Sequence, residues 1–245
     1  MQKLVCRSLV VIAWSVNGLG LLTTDVFAQA TKTLHVATDP VPREGGWLER
    51  HEGMNARVAQ GNVDLIFIGD SITQGWETEG QKAWGRFYGH RHAVNLGISG
   101  DRTQHVLWRL DHGNLQGISP KAAVIMIGTN NSRDNSAEEI ADGITAIVES
   151  LREKTPDTKI LLLAIFPRGA TPDDPQRQVT QKANAIVAKL ADDQHVFFLD
   201  IGKKFLHEDE TLGKDLMPDL LHLSEQGYAV WAESIESLLA KLMAL

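Results

Sequence analysis

The chain has 245 residues, 43% hydrophobic and 22% charged, with a formal net charge of −7 and a single cysteine. An acidic chain of this length can bury a sizeable core, and without a basic run it has no electrostatic footprint for nucleic acid. One cysteine excludes an internal disulfide framework and thiolate metal sites.

Residues 1–28 read as a signal peptide. Lys3 and Arg7 precede an apolar stretch, Ser8 to Leu22, and Val26-Phe27-Ala28 ends in the small residue that signal peptidase requires. The stretch is short and broken by Asn17 and Gly18, which predicts no stable membrane span in the mature chain. A retained anchor is the alternative reading of the same residues. Cleavage near Ala28 removes Cys6 and implies export to a periplasm or medium. Residues 29–60 form a lead-in, rich in proline and glycine around Pro40, Pro42, Gly45 and Gly46. A helix follows in which Trp47, Met54 and Val58 recur at helical spacing.

Leu65 to Ile68 is an uninterrupted apolar run, the pattern of a strand buried on both faces, and Gly69-Asp70-Ser71 follows it. On this stretch alone, the simpler reading of Ser71 is a helix cap. Further strands are predicted over Ala93–Ile98, Ala122–Ile127, Lys159–Phe166 and Val196–Ile201. Helical patterns lie between them, including one opened by Ser136 with Glu139 as a capping box. Residues 202–223 show no period, and a last helix is predicted from about Ser224 to Met243. Five strands alternating with helices predict a three-layer α/β/α sandwich around a flavodoxin-like, five-stranded parallel sheet.

In such a sheet, ligands bind at the loops following the strands. Ser71 follows the first strand, Gly100 the second and Asn130 the third, while Asp219-Leu220-Leu221-His222 comes after the fifth. An aspartate three residues before a histidine allows a turn to set the carboxylate beside the imidazole, whose other nitrogen can then serve a serine hydroxyl. Gly100 offers a backbone N–H, Asn130 a side-chain amide and Ser71 its own N–H for an oxyanion. Taken singly, these residues read as turn or cap positions; their common placement points to serine-hydrolase chemistry. No metal site is expected, because no histidines have zincin spacing, and no cofactor, because the phosphate-loop and dinucleotide fingerprints are missing.

Gly69-Asp70-Ser71, Gly100, Gly128-Thr129-Asn130 and Asp219-x-x-His222 together resemble the four signature positions of the SGNH (GDSL) hydrolase superfamily. His105-Val106-Leu107-Trp108-Arg109-Leu110, Asn131 and Pro167-Arg168-Gly169 are similar to the branch of the platelet-activating factor acetylhydrolase Ib catalytic subunits. The resemblance covers residues 61–245 as one hydrolase domain. It implies Ser71 as nucleophile, His222 as base and Asp219 as its orienting carboxylate, with an oxyanion hole from Ser71, Gly100 and Asn130. It also implies an acyl pocket lined by Ile72, Thr129 and Leu221, suited to acetyl groups, and it admits a homodimer. Ser99 departs from the second glycine usual in that branch, and the export signal departs from its intracellular namesakes. The expected substrate is therefore a carbohydrate or other small acyl ester, with glycerophospholipids as the alternative. The reading from a different class is a glycan-binding module without catalysis. Trp76 and Trp84 are candidates for a sugar-facing cleft, with buried packing the expected fate of at least one.

Overall fold

The computed structural model describes residues 35–244. The segment read as a signal peptide lies outside the described residues. Five strands, Leu65–Gly69 (β1), Ala93–Gly97 (β2), Ala122–Met126 (β3), Lys159–Leu163 (β4) and Val196–Leu199 (β5), form one parallel sheet in the order β2-β1-β3-β4-β5. The helices are Gly46–Ala59 (α1), Ser71–Gln74 (α2), Gln81–Phe87 (α3), Thr103–Asp111 (α4), Ala137–Lys154 (α5), Pro175–Val187 (α6) and Glu225–Ala244 (α7).

Alternate residues of each strand enter two separate cores. Ile66, Ile68, Val94, Leu96, Ala123 and Ile125 meet apolar side chains of α1, α4, α5 and α6. Leu65, Phe67, Val124 and Met126 meet Trp76, Ala83 and the Trp231, Ile235 and Leu239 face of α7. Every residue of β1 and β3 is consequently buried, which is why these strands read as continuous apolar runs. The result is the three-layer sandwich with the flavodoxin-like strand order.

The described part of the lead-in, from residue 35, packs on the first of these cores. Trp47, Met54 and Val58 of α1 pack in it at the predicted spacing, and the Thr103 hydroxyl donates to the Ala37 carbonyl at 2.8 Å. The α5 capping box is present, with Ser136 Oγ accepting from Glu139 N–H and Glu139 Oε2 from Ser136 N–H. β4 and β5 stop at Leu163 and Leu199, short of their apolar runs. Beyond Leu163 the Asn184 side chain from α6 takes over as partner, pairing with both the N–H (2.8 Å) and the carbonyl (2.9 Å) of Ile165.

Trp76 is buried in an aromatic cluster with Phe67, Tyr88, Tyr228 and Trp231. Trp76 and Trp84 border a cavity of about 530 Å³ that also touches Arg50 and Asn95 and includes neither Ser71 nor His222. Among the described residues, no helix is long and apolar enough to cross a membrane.

Candidate active site

The chain runs from β1 to β2 on one side of β1, then returns to place β3 on the other, so the sheet changes direction at β1. A crevice opens at such a switch point, outside the carboxyl ends of the strands. Ser71 stands there, as the first residue of α2. The entry is tight: an ideal Cβ on Gly69 would fall 2.1 Å from Thr73 Oγ1 and 2.4 Å from the Met126 carbonyl oxygen, so only glycine fits. Asp70 caps α2 by accepting from Ile72 N–H at 3.0 Å, and the Tyr228 hydroxyl of α7 donates to the Ile72 carbonyl at 2.7 Å. The helix carrying Ser71 is thus held at both its start and its flank.

Ser71 Oγ lies 2.9 Å from His222 Nε2, and His222 Nδ1 lies 2.6 Å from Asp219 Oδ2. An ionised carboxylate only accepts, so Asp219 places the imidazole proton on Nδ1 and leaves Nε2 as an acceptor facing Ser71. The turn is built by Asp219 itself, whose Oδ1 takes the N–H groups of Leu221 (3.0 Å) and His222 (2.7 Å). Leu220 between them adopts φ +64°, and its carbonyl accepts from Gly169 N–H at 3.0 Å. Partial burial acts to raise the Asp219 pKa, but the hydrogen bonds from the His222 ring and main chain prevail and hold it below the usual carboxylate value.

Gly100 is exposed with φ +77°, a conformation that favours glycine. The Asn130 amide nitrogen donates to the Asp101 carbonyl at 2.9 Å, which joins the loops after β2 and β3. One amide hydrogen is occupied in this way, and the second has no partner among the described residues. Thr129 is buried, and Arg168 donates to both its carbonyl (3.1 Å) and its hydroxyl (3.2 Å). Ile72 is 1% exposed, within the core beneath Ser71, and Leu221 is half-buried next to His222.

Three features behind the site go beyond the sequence reading, in which Asp70 figured only as part of Gly69-Asp70-Ser71. Asp101 is wholly buried and ion-paired to an equally buried Arg109, Nε to Oδ2 at 2.9 Å. Arg43 from the lead-in reaches the same loop. Asp70 is also wholly buried; burial is the largest influence on its carboxyl and pushes it up to about 7, and its Oδ2 has no hydrogen-bond partner among the described residues. For Arg109 the hint was the run from His105 to Leu110, in which it shares the buried face of α4 with Val106 and Leu110. Among the described residues, no three His, Cys, Asp or Glu side chains converge on a possible metal position.

Residues 67–230 match the GDSL-like lipase/acylhydrolase family. The chain is 39% identical over 205 residues to platelet-activating factor acetylhydrolase IB subunit alpha1 of Pongo abelii, covering 83% of this chain and 87% of that protein. Among solved structures it is similar to a GDSL-like lipase from Bacteroides thetaiotaomicron VPI-5482, with a TM-score of 0.64, 22% identity, and 80% and 98% of the two chains covered. It also shares its fold with an acetylxylan esterase from Geobacillus stearothermophilus, at a TM-score of 0.58, 19% identity, and 74% and 94% coverage. The match over most of the chain, on a fold that carries a serine and a histidine in hydrogen-bond contact at its switch point, makes this protein a member of the GDSL-like lipase/acylhydrolase family of carboxylic ester hydrolases.

Proposed function

We propose that the protein is an exported serine esterase that removes acetyl or other short acyl groups through an acyl-enzyme. The observation that carries this reading is the unbroken path from Asp219 through His222 to Ser71 Oγ, at 2.6 and 2.9 Å. Serine is a poor nucleophile until a base takes its proton. His222 Nε2 receives that proton as Oγ attacks the ester carbonyl, then returns it to the departing alcohol. Water, deprotonated by the same nitrogen, releases the acid and frees Ser71. The negative oxygen of each tetrahedral intermediate is held by the N–H groups of Ser71 and Gly100 and the spare amide hydrogen of Asn130.

Ile72, Thr129 and Leu221 line the acyl side. The first two are almost fully covered, so little of them is open to a long acyl chain, which supports acetyl. Carbohydrate or other small acetyl esters are the leading substrates, because the acidic chain has no evident basic amphipathic helix for a lipid surface. Acetylated glycerophospholipid is the second reading, favoured by the identity to the alpha1 subunit. Export rests on the pattern of residues 1–28.

Colour release from p-nitrophenyl acetate, with an organophosphonate adding mass at Ser71 alone, is the expected result. Folded protein without turnover would make it a glycan-binding module instead; turnover with Ser71 unlabelled would remove Ser71 as nucleophile. Acetate release from acetylated xylan, acetylated sialic acid and an acetylated phospholipid then ranks the substrates. For export, the full-length chain expressed in a bacterium should yield exported protein beginning near Gln29. Uncut protein held in the membrane fraction would show an anchor.

A further inference from the structure

We propose that Arg43, which lies outside the matched segment 67–230, is a positioning residue that aims and polarises the Gly100 N–H of the oxyanion hole by gripping the Ser99 carbonyl. This inference rests on the esterase reading and goes beyond it, to a part of the chain whose sequence alone suggested no function.

Ser99 C=O and Gly100 N–H belong to the same peptide unit. In a planar trans peptide the two groups point in opposite directions, so fixing the carbonyl fixes the direction of the N–H. Arg43 Nη1 donates to that carbonyl at 2.8 Å. The other end of the Ser99 residue is held as well, its N–H donating to Gln74 Oε1 at 2.7 Å. A charged donor on the carbonyl also draws electron density from the amide nitrogen, making the N–H a stronger donor. The guanidinium lies directly against Gly100: an ideal Cβ there would come within 3.1 Å of Nη1 and 3.3 Å of Nη2.

Arg43 is itself anchored. Val41 N–H donates to the Gln104 carbonyl at 3.4 Å on one side, and α1 begins at Gly46 on the other. Its Nη1 also lies 3.4 Å from Asp101 Oδ1, an oxygen that accepts from Trp47 Nε1 at 2.6 Å. The second oxygen of Asp101 is held by Arg109, which also reaches the Gly69 carbonyl at 3.4 Å. Two guanidinium groups on one carboxylate leave a unit of positive charge beside Gly100, where negative charge develops on the substrate. Burial first, then Arg43, Arg102 and Arg109, hold the His105 imidazole down at about 4. Half-exposed Arg43 can be replaced without opening the core.

The test uses the full chain with Arg43→Met and Arg43→Lys, assayed on neutral p-nitrophenyl acetate and on its carboxylate-bearing analogue 4-acetoxybenzoate. Arg43→Met should lower kcat on the neutral ester by about 10–100-fold with KM little changed, a smaller loss than deletion of a donor. A trifluoromethyl ketone, whose serine adduct places an oxyanion in the hole, should weaken in proportion to kcat/KM. Arg43→Lys should recover part of both. A loss confined to the carboxylate-bearing ester would overturn the proposal, since Arg43 would then be contacting substrate charge. So would a loss that only follows a lowered Tm and folded fraction. Wild-type protein without ester turnover would overturn the esterase reading and this inference together, whereas unchanged kcat in Arg43→Met beside an active wild type would overturn this inference alone.

Discussion

Asp219 holds His222 twice, taking the ring Nδ1–H on one carboxylate oxygen at 2.6 Å and the main-chain N–H on the other at 2.7 Å. The first contact selects the tautomer and the second builds the turn. Asp219→Asn separates them. An asparagine oxygen can keep the turn, but its NH₂ facing Nδ1 demands an acceptor there, which moves the imidazole proton to Nε2 and leaves no base for Ser71. We expect kcat on p-nitrophenyl acetate to fall by about 10³–10⁴, with the fold and KM retained. Near-normal turnover would exclude Asp219 as the orienting carboxylate.

Asn130→Ala removes one of the three proposed oxyanion donors. Turnover should fall by about 10²–10³ while Ser71 remains accessible to a phosphonate. A rate within a fewfold of wild type would remove Asn130 from the hole.

Acyl-chain selectivity should respond to Ile72→Ala. Shortening a side chain that is 1% exposed leaves space beneath Ser71. The ratio of kcat/KM for p-nitrophenyl butyrate to that for the acetate should rise, and stability should drop by about 2–4 kcal/mol from the cavity. An unaltered ratio in a destabilised protein would place Ile72 in the core only.

Asp70 predicts a pH dependence of stability. Burial, assisted by nearby Asp101, raises its carboxyl from 3.8 to about 7, against the Ile72 N–H and the attraction of His222. The folded state thus keeps this proton to higher pH than the unfolded chain does. Stability therefore falls as pH rises from about 4 to about 7 and levels off above that. Asp70→Asn, which mimics the neutral acid, lacks this loss. Between pH 5 and pH 8, urea unfolding should show wild type losing roughly 2–3 kcal/mol relative to the variant. Parallel stability profiles for the two proteins would contradict the buried neutral carboxyl.

The sheet was legible because strands buried on both faces, such as Leu65–Gly69 and Ala122–Met126, announce themselves as unbroken apolar runs. Ser71, Gly100, Asn130 and the Asp219–His222 pair could be picked out by their placement after those runs. Arg43 and the Asp101–Arg109 pair could not. Charged residues in one sequence look solvent-facing, and no spacing rule links Arg43 to a carbonyl 56 residues away. Residues 202–223 had no period because they are held by a short 3₁₀ turn at Gly202–Phe205, an isolated bridge between Leu206 and Leu212, and aspartate side chains capping main-chain N–H groups. Of the two tryptophans that follow the candidate nucleophile, Trp76 takes the buried fate expected of at least one, its ring filling an aromatic core.

The strand order also has a meaning in time. All five strands are complete at Leu199, yet His222 and α7 come after it. As the chain leaves the ribosome, Ser71 and the loops holding Gly100 and Asn130 emerge well before His222. A chain ending just past Leu199 would contain every strand but would lack both His222 and the helix that covers Leu65, Phe67 and Val124. Truncation just past Leu199 would thus part the complete sheet from the contact between Ser71 and His222.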